Sequence, residues 1–239
     1  KGKFVQAVLQ FSQAPGEAVV VATRHADAIR SPADFRGHAL GVTGLGSSTH
    51  LLMQYLVAEH GLKKGDVRIS GVGSGDAFAA ALREGRIDLG MTTEPTVSRL
   101  LKSGDARLLV DLRTPAQAAS ELGGLYPAAC LYMSAPWIAT HRDEVQRLVN
   151  ALVKALRFIA AHDAREIAAQ LPADYMAGDP ALYVSTLQQS KSMFTPDGVM
   201  PASGPANVLR VMRAAERAVV DKPIDLSRTF TTEFARTAR

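Results

Sequence analysis

The sequence predicts an α/β protein whose middle section is a parallel sheet with helices between its strands. Between residues 36 and 112, short apolar segments rich in β-branched residues alternate with segments of helical periodicity. Parallel strands require crossovers of this length, and helices usually supply them. Apolar residues make up 47% of the 239 residues, which is enough to bury a full core in one large or two small domains.

Four segments of the middle section have the composition of strands: HALGVTG, DVRISGV, IDLGMTT and ARLLVDL. Three helices are predicted between them from their spacing and from their start and stop signals. The first helix follows the hydroxyl-rich stretch that includes Ser48 and stops at Gly61. The second has Asp76 as its N-cap and Gly85 as its stop, and the third has Pro95 in its first turn.

The two flanks of this section predict a second lobe. Before it lie the strand-like segments FVQAVLQF and EAVVVAT, and after it lie the strand PAACLYMS and a long helix. That helix carries one apolar stripe, formed by Val145, Leu148, Val149, Leu152, Leu156 and Ile159. We therefore predict that residues 1–36 and 127–239 form lobe I with the C-terminal helices, and that residues 37–126 form lobe II as an inserted parallel α/β lobe.

Several classes of function are excluded by composition. Lys and Arg number 27 against 23 Asp and Glu, and the charges are interspersed, so no nucleic acid partner is expected. No apolar run reaches transmembrane length, so no intrinsic membrane insertion is expected either.

The beginning, KGKFVQAVLQ, lacks the features of a secretory signal peptide. Cys130 stands alone in an apolar run and is interpreted as a buried structural thiol.

Small polar residues follow three successive predicted strands, in the stretches GLGSST, GSGD and TTEPT. In a parallel sheet these stretches share one edge, where helix N-termini attract anions. Glycines allow a ligand to approach the backbone, and hydroxyl groups donate hydrogen bonds without adding charge. This pattern favours a binding site for a small polar or anionic solute. For each stretch taken alone, the alternative is that its Ser or Thr is an ordinary N-cap.

Other chemistries fit these residues poorly. After Gly44 and Gly46, Thr49 stands where a dinucleotide-binding loop needs a third glycine. A P-loop is absent, and Ser74 lies directly between two glycines, which differs from the spacing of a hydrolase nucleophile elbow. The six histidines fall singly, and His50 is interpreted as exposed or packed rather than as a ligand contact. We therefore expect no catalytic residues, no metal site and no cofactor.

The stretch from SPADFRGHALGVTGLGSSTH to EPTVSRLLKSG resembles the periplasmic substrate-binding proteins of ABC importers for nitrate, sulfonates, taurine and thiamine-pyrimidine-like compounds. The motifs that carry this resemblance are SPAD, GSST, ALREGRID and EP, and the likeness continues to IDLSRTFTTEFA near the C-terminus. The resemblance implies a two-lobed clamshell of the type II periplasmic-binding-protein class. It also implies a periplasmic location, a small-molecule solute held in an interlobe cleft, and a membrane permease as partner.

The resemblance also implies crossovers between the lobes near residues 35–38 and 111–127. Family members usually begin with a strand, helix, strand, helix run, and KGKFVQAVLQFSQAPGEAVVVAT matches the stretch that follows that run. Lobe I is therefore expected to be incomplete at its N-terminus, as in a truncated or naturally shortened form.

Ligand contacts are carried over from the family by position. In lobe II they are Ser47, Ser48, Thr49, Ser74, Gly75, Asp76, Thr93 and Glu94, and in lobe I they are Ser12 and Gln13. The predicted function is solute capture for an ABC-type import system, without catalysis, and the solute is a sulfonate, nitrate, carboxylate or pyrimidine-like compound. Two alternatives on the same fold are a thiamine-pyrimidine-synthase-like enzyme, which would need a Cys-rich segment, and a ligand-sensing domain of a regulator.

Overall fold

The computed structural model describes residues 4–176 and 178–239. The strands within these residues are β1 (Val5–Gln10), β2 (Glu17–Ala22), β3 (Ala39–Val42), β4 (Arg68–Gly71), β5 (Leu89–Thr93), β6 (Ala106–Leu112) and β7 (Cys130–Ser134). The α-helices are α1 (Ser48–Glu59), α2 (Asp76–Arg83), α3 (Thr96–Ser103), α4 (Pro115–Leu122), α5 (Ala135–Thr140), α6 (Arg142–Ala161), α7 (Ala164–Ala168), α8 (Pro180–Ser190), α9 (Gly204–Ala215), α10 (Arg217–Val220) and α11 (Glu233–Arg236).

The chain forms two compact units. The described part of unit 1 consists of residues 4–15, residues 114–208 without 177, and residues 223–239, and unit 2 consists of residues 16–113 and 209–222. These boundaries differ from the predicted ones, which placed residues 1–36 in the first lobe and residues 37–126 in the second. Unit 2 already begins at residue 16, so it includes β2. It also includes residues 209–222, which lie near the C-terminal end of the sequence.

Unit 2 contains a five-stranded sheet in the order β4-β3-β5-β2-β6. Strand β3 is parallel to β4 and to β5, as the alternation of strands and helices predicts. Strand β2 lies between β5 and β6 and is antiparallel to both. The expectation of four mutually paired parallel strands is therefore corrected at β6, which pairs with β2. All six residues of β2 are buried, and such an apolar segment suits the centre of a sheet covered on both faces.

The three predicted helices of unit 2 begin within one residue of the predicted positions. Ser48 is the first residue of α1. Asp76 is the first residue of α2 and not its N-cap, which is Gly75, and Pro95 is the N-cap of α3. The crossovers from β3 to β4 and from β4 to β5 proceed in opposite directions along the sheet. Because crossovers between parallel strands are almost always right-handed, this strand order implies that α1 and α2 lie on opposite faces. One core cluster, on the face of α2 and α3, contains Ala18, Val20, Ala22, Phe78, Leu82, Ile87, Val97 and Leu100.

Unit 1 contains a two-stranded antiparallel sheet of β1 and β7, whose register pairs Val5 with Ser134 and Gln10 with Cys130. Its core joins β1 to the long helix α6 and to α11 through Val8, Leu9, Ile138, Val145, Val149, Val153, Leu156 and Phe234. The predicted stripe of α6 needs one correction. The side chain of Leu148 is 41% exposed, and Val153 is fully buried instead.

Candidate functional site

The first candidate stretch lies between β3 and α1, at the carboxyl end of a strand that neighbours β5. Gly46 has a φ of 85°, in the left-handed region that glycine adopts without steric cost, and the chain turns there into the helix. Ser47 is the N-cap of α1 in an extended conformation, and its hydroxyl accepts a hydrogen bond from the N–H of His50. The loop therefore brings the hydroxyl run to the N-terminus of a twelve-residue helix.

Two of the three hydroxyl groups in this run are engaged inside the loop. Ser47 Oγ donates to the carbonyl of Gly44 at 2.7 Å and lies 2.8 Å from Thr49 Oγ1. Thr49 Oγ1 accepts from the N–H of Thr43 at 3.1 Å and is buried. In this arrangement Ser47 and Thr49 fix the conformation of the loop. Their assignment as ligand contacts stays a prediction.

Ser48 differs from its two neighbours because it is exposed. Its hydroxyl donates a hydrogen bond to Oε1 of Glu17. The N–H groups of Ser48 and Thr49 are the first two of α1, and neither donates to any atom in the described part of the chain. Unpaired N–H groups at a helix N-terminus carry the positive end of the helix dipole and attract anions. These two N–H groups therefore form a donor set suited to an anionic or polar group, and the Ser48 hydroxyl lies beside them with its proton directed to Glu17.

Glu17 is a residue of this region that sequence reasoning missed. It opens β2, where it pairs with Thr93 of β5 and Leu112 of β6, so it lies at the edge formed by the carboxyl ends of the parallel strands. Glu17 is 3% exposed. Burial raises the pKa of its carboxyl to about 7, although the hydrogen bond from Ser48 acts in the opposite direction. The available signal was an acidic residue at the start of the apolar strand EAVVVA.

The second candidate stretch lies between β4 and α2. The N–H of Gly75 donates to Thr96 Oγ1 at 3.1 Å, and Ser74 is exposed. Asp76 is exposed as well and forms an ion pair with Arg99 at 2.6 Å. Because β4 and β3 are parallel neighbours, this stretch lies at the same edge of the sheet as the first.

The third candidate stretch follows β5, where Thr93 is half-buried. The carboxylate of Glu94 accepts hydrogen bonds from the N–H and the hydroxyl of Ser98, both at 2.9 Å, and from Nη1 of Arg113 at 2.6 Å. Arg113 also donates to Asp111, and these two carboxylates hold the pKa of Arg113 above its ordinary range. Glu94 is therefore engaged within unit 2.

The two contacts predicted for the first lobe lie in unit 1, on the segment that follows β1. Ser12 is buried, and its hydroxyl accepts from the N–H of Ala129 at 2.9 Å. The backbone N–H of Gln13 donates to the carbonyl of Met193 at 2.7 Å. Both residues thus belong to the hydrogen-bonding framework of unit 1, and their contact with a solute stays a prediction.

His50 lies on the first turn of α1 and takes part in the loop. Its Nδ1 accepts a hydrogen bond from the N–H of Gly46 at 3.0 Å. Burial, together with the charge of Lys64, lowers the pKa of His50 below its ordinary value, so the ring is neutral at pH 7. A neutral ring with one nitrogen committed to the loop has a structural role there.

The arrangement of the possible metal ligands and the surroundings of Cys130 can be described for the residues that the structure covers. Among them no three His, Cys, Asp or Glu side chains are arranged to hold a metal ion. The thiol of Cys130 is half-buried at the start of β7, and burial raises its pKa above the ordinary value. A raised pKa lowers the thiolate fraction and with it the reactivity of the thiol.

Comparison with known proteins gives a family match over most of the chain. The sequence profile of the NMT1-like family matches residues 6–173. A solved structure from Bordetella bronchiseptica RB50 is 36% identical, with a TM-score of 0.88, over 98% of this chain and 74% of that one. No functionally curated protein sequence matches the chain.

Two more distant structures share the fold. The periplasmic aliphatic sulphonate-binding protein SsuA from Escherichia coli is 21% identical, with a TM-score of 0.67, over 94% of this chain and 69% of that one. A mutant of the desulfurization enzyme DszB, in complex with biphenyl-2-sulfinic acid, is 17% identical, with a TM-score of 0.61, over 98% of this chain and 78% of that one. The α/β architecture of periplasmic binding proteins is thus shared by a binding protein and an enzyme.

Proposed function

The chain belongs to the NMT1-like family, and from this premise we propose that it is the solute-binding component of an ABC-type import system. It captures a small polar or anionic organic solute and delivers it to a membrane permease. The sulphonate-binding protein that shares its fold supports this role and supports a periplasmic location. Within residues 4–176 and 178–239, no helix has both the length and the apolar character needed to cross a bilayer.

One observation carries the proposal at the level of the site. The exposed residue Ser48 and the two unpaired N–H groups at the start of α1 lie at the edge of a mixed sheet where its parallel strands β3, β4 and β5 end. Ligands of open α/β sheets bind at this edge, and helix N-termini there favour anions. Sulfonates, nitrate and carboxylates all present oxygen acceptors to such donors, and sulfonates are the solute class that we favour.

The experiment is a binding screen with the purified full chain. Native mass spectrometry identifies any copurified solute, and calorimetric titration measures affinity for ethanesulfonate, nitrate, butyrate and 4-aminopyrimidine. We expect one of these compounds to bind and to raise the melting temperature, since a ligand specific to the folded state stabilises it. Absence of a copurified solute together with absence of binding by all four compounds contradicts the proposal.

A second candidate function is an enzyme acting on an oxidised sulfur compound. The shared fold with DszB and the near-neutral pKa of Glu17 favour this candidate, since a general acid or base works best near its pKa. Prolonged incubation separates the two functions. A binding protein returns the bound compound unchanged, whereas an enzyme releases a product that mass spectrometry detects.

A further inference from the structure

Glu17 and Ser48 form a contact that the proposed function does not yet explain. Oε1 of Glu17 accepts the Ser48 hydroxyl, and Oε2 has no hydrogen-bond partner in the described chain although it is fully buried. Buried polar atoms are nearly always paired, and an unpaired one indicates strain, function or an absent ligand or water. The side chain is directed at the N-terminus of α1, where the donor set for an anion lies.

The protonation state of Glu17 determines the direction of this hydrogen bond. A serine hydroxyl has one proton, and it rotates to suit its neighbours. A carboxylate at Glu17 only accepts, so it takes the Ser48 proton and leaves the serine lone pairs facing outward. A neutral acid at Glu17 donates its proton to Ser48 Oγ instead, and the Ser48 proton is then free to point outward.

The local environment favours the neutral acid. The unpaired Oε2 carries half of the negative charge in the carboxylate but is a neutral carbonyl oxygen in the acid, which costs less to bury unpaired. Burial correspondingly raises the pKa of Glu17 to about 7, so both forms are populated near neutral pH.

In the described part of unit 2, the charged side chains that neighbour Glu17 in the sheet lie on the other face from its carboxyl group. Asp111 pairs with Ala18, the residue that follows Glu17 in β2, and side chains alternate between the two faces along a strand. Asp111 therefore lies on the face opposite to Glu17, toward α3, together with its partner Arg113 and with Glu94. On the face of α1, the titratable group nearest in sequence to Ser48 is His50, which is neutral at pH 7. Farther along α1, the Tyr55 hydroxyl accepts hydrogen bonds from Arg210 of α9. The charge of Glu216 acts to raise the pKa of His50, against the larger effect of burial.

We propose that Glu17 is a positioning residue for anion binding at the N-terminus of α1, acting through the orientation of the Ser48 hydroxyl. When Glu17 is neutral, it donates a hydrogen bond to Ser48, and the Ser48 hydroxyl can then donate to the solute. When Glu17 is ionised, it accepts the hydrogen bond from Ser48 and places a negative charge behind the site. Solute binding is therefore coupled to uptake of a proton by Glu17. This inference rests on the proposed function, because it needs an anionic solute bound at α1.

The size of the coupling follows from the fraction of neutral acid. With a pKa of about 7, roughly nine-tenths of Glu17 is neutral at pH 6 and roughly one-tenth at pH 8. If only the neutral form binds the solute, the apparent affinity equals the intrinsic affinity multiplied by the neutral fraction. Binding is then about tenfold weaker at pH 8 than at pH 6. Binding at pH 7 takes up about half a proton.

The experiment is calorimetric titration with ethanesulfonate, whose charge is constant over this pH range, with nitrate and butyrate as further probes. Titrations run at pH 6, 7 and 8, and at pH 7 in two buffers of different ionisation enthalpy to count protons. The test variant is Glu17→Gln, whose amide N–H donates to Ser48 at every pH. We expect it to bind as tightly as the original chain at pH 6 and about tenfold more tightly at pH 8. Ser48→Ala should bind more weakly and with a smaller dependence on pH, because the part of the coupling that passes through the hydroxyl is lost and only the charge of Glu17 remains.

The outcomes separate the two proposals. Binding by the original chain with equal affinity at pH 6 and pH 8, or a tenfold pH dependence that persists in Glu17→Gln, overturns the role of Glu17 and leaves the proposed function standing. A pH dependence that disappears in His50→Gln but persists in Glu17→Gln assigns the proton to His50 and also overturns the inference. Absence of anion binding at every pH, in the original chain and in Glu17→Gln, overturns this inference, and the proposed function fails with it only if 4-aminopyrimidine does not bind either and no solute copurifies.

Discussion

Arg113 and Glu94 form an ion pair with 2.6 Å between Nη1 and Oε1, and the two side chains are only 9% and 15% exposed. Asp111 completes the group at 2.7 Å from Nη2 of the same arginine. The group joins the end of β5 to the end of β6, two strands that are separated by β2. It therefore links two parallel strands that share no backbone hydrogen bonds.

We expect Arg113→Met to destabilise the chain strongly, because it leaves two carboxylates buried without their cation. Breaking a buried pair from one side costs about 3–5 kcal/mol of unfolding free energy. The matched control is Arg99→Met, which removes an ion pair of the same 2.6 Å length in which the side chains are 49% and 86% exposed. An exposed pair is worth about 0–1 kcal/mol. Urea unfolding followed by circular dichroism measures both variants, and similar losses would contradict the prediction.

The raised pKa of Glu17 predicts a pH dependence of stability. Its ordinary value is 4.5 and its folded value is about 7, so the folded chain binds more protons between these two values. Stability from this residue is therefore fully present below pH 4.5 and is lost as the pH rises through 7. We expect Glu17→Gln to gain up to about 3 kcal/mol relative to the original chain at pH 8, and nothing at pH 4.5. Urea midpoints across pH test this, with the exposed Glu84→Gln as a control that should show no such trend.

Ser47 and Ser48 should respond differently to replacement by alanine. Ser47→Ala removes an N-cap and should cost about 0.5–2 kcal/mol of stability, and if the Ser47 hydroxyl serves the loop and does not contact the solute, affinity stays nearly unchanged. Ser48→Ala removes a hydroxyl that donates to the solute when Glu17 is neutral, and should weaken anion binding at pH 6 about ten- to a hundredfold, since a hydrogen bond to a charged group is worth about 1.5–3 kcal/mol. Thermal melts and calorimetric titrations of both variants measure the two effects. If Ser47→Ala loses affinity and Ser48→Ala does not, then Ser47 and not Ser48 contacts the solute.

Gly90 in β5 should tolerate no side chain. A Cβ there would lie 2.5 Å from the carbonyl oxygen of Gly41 and 2.7 Å from the ring of Phe78. Because the first obstacle is backbone of the neighbouring strand, we expect Gly90→Ala to cost at least about 1–3 kcal/mol. Gly65→Ala is the control, since a Cβ there would meet no atom within 4 Å. Equal stability of the two variants in urea would show that the strands separate easily.

Local signals in the sequence predicted the local structure of unit 2 well. The helix starts near Ser48, Asp76 and Pro95 depend on neighbouring residues, and the structure places each of them within one residue of its predicted position. The placement of β2 depends on pairing with strands more than sixty residues away, and the pattern EAVVVA shows that it is a buried strand without showing which sheet it joins. Glu17 was missed for the same reason, because its burial arises from that pairing.

Unit 2 also takes a segment from far along the chain, and this bears on the order of events during synthesis. Residues 209–222 belong to unit 2, and Val211 within them is fully buried. The ribosome must therefore make nearly all of the 239 residues before the last part of this unit emerges. Until then the surface of α1 that includes Tyr55 lacks its contact with Arg210, and the nascent unit depends on its sheet and on the helices α1, α2 and α3.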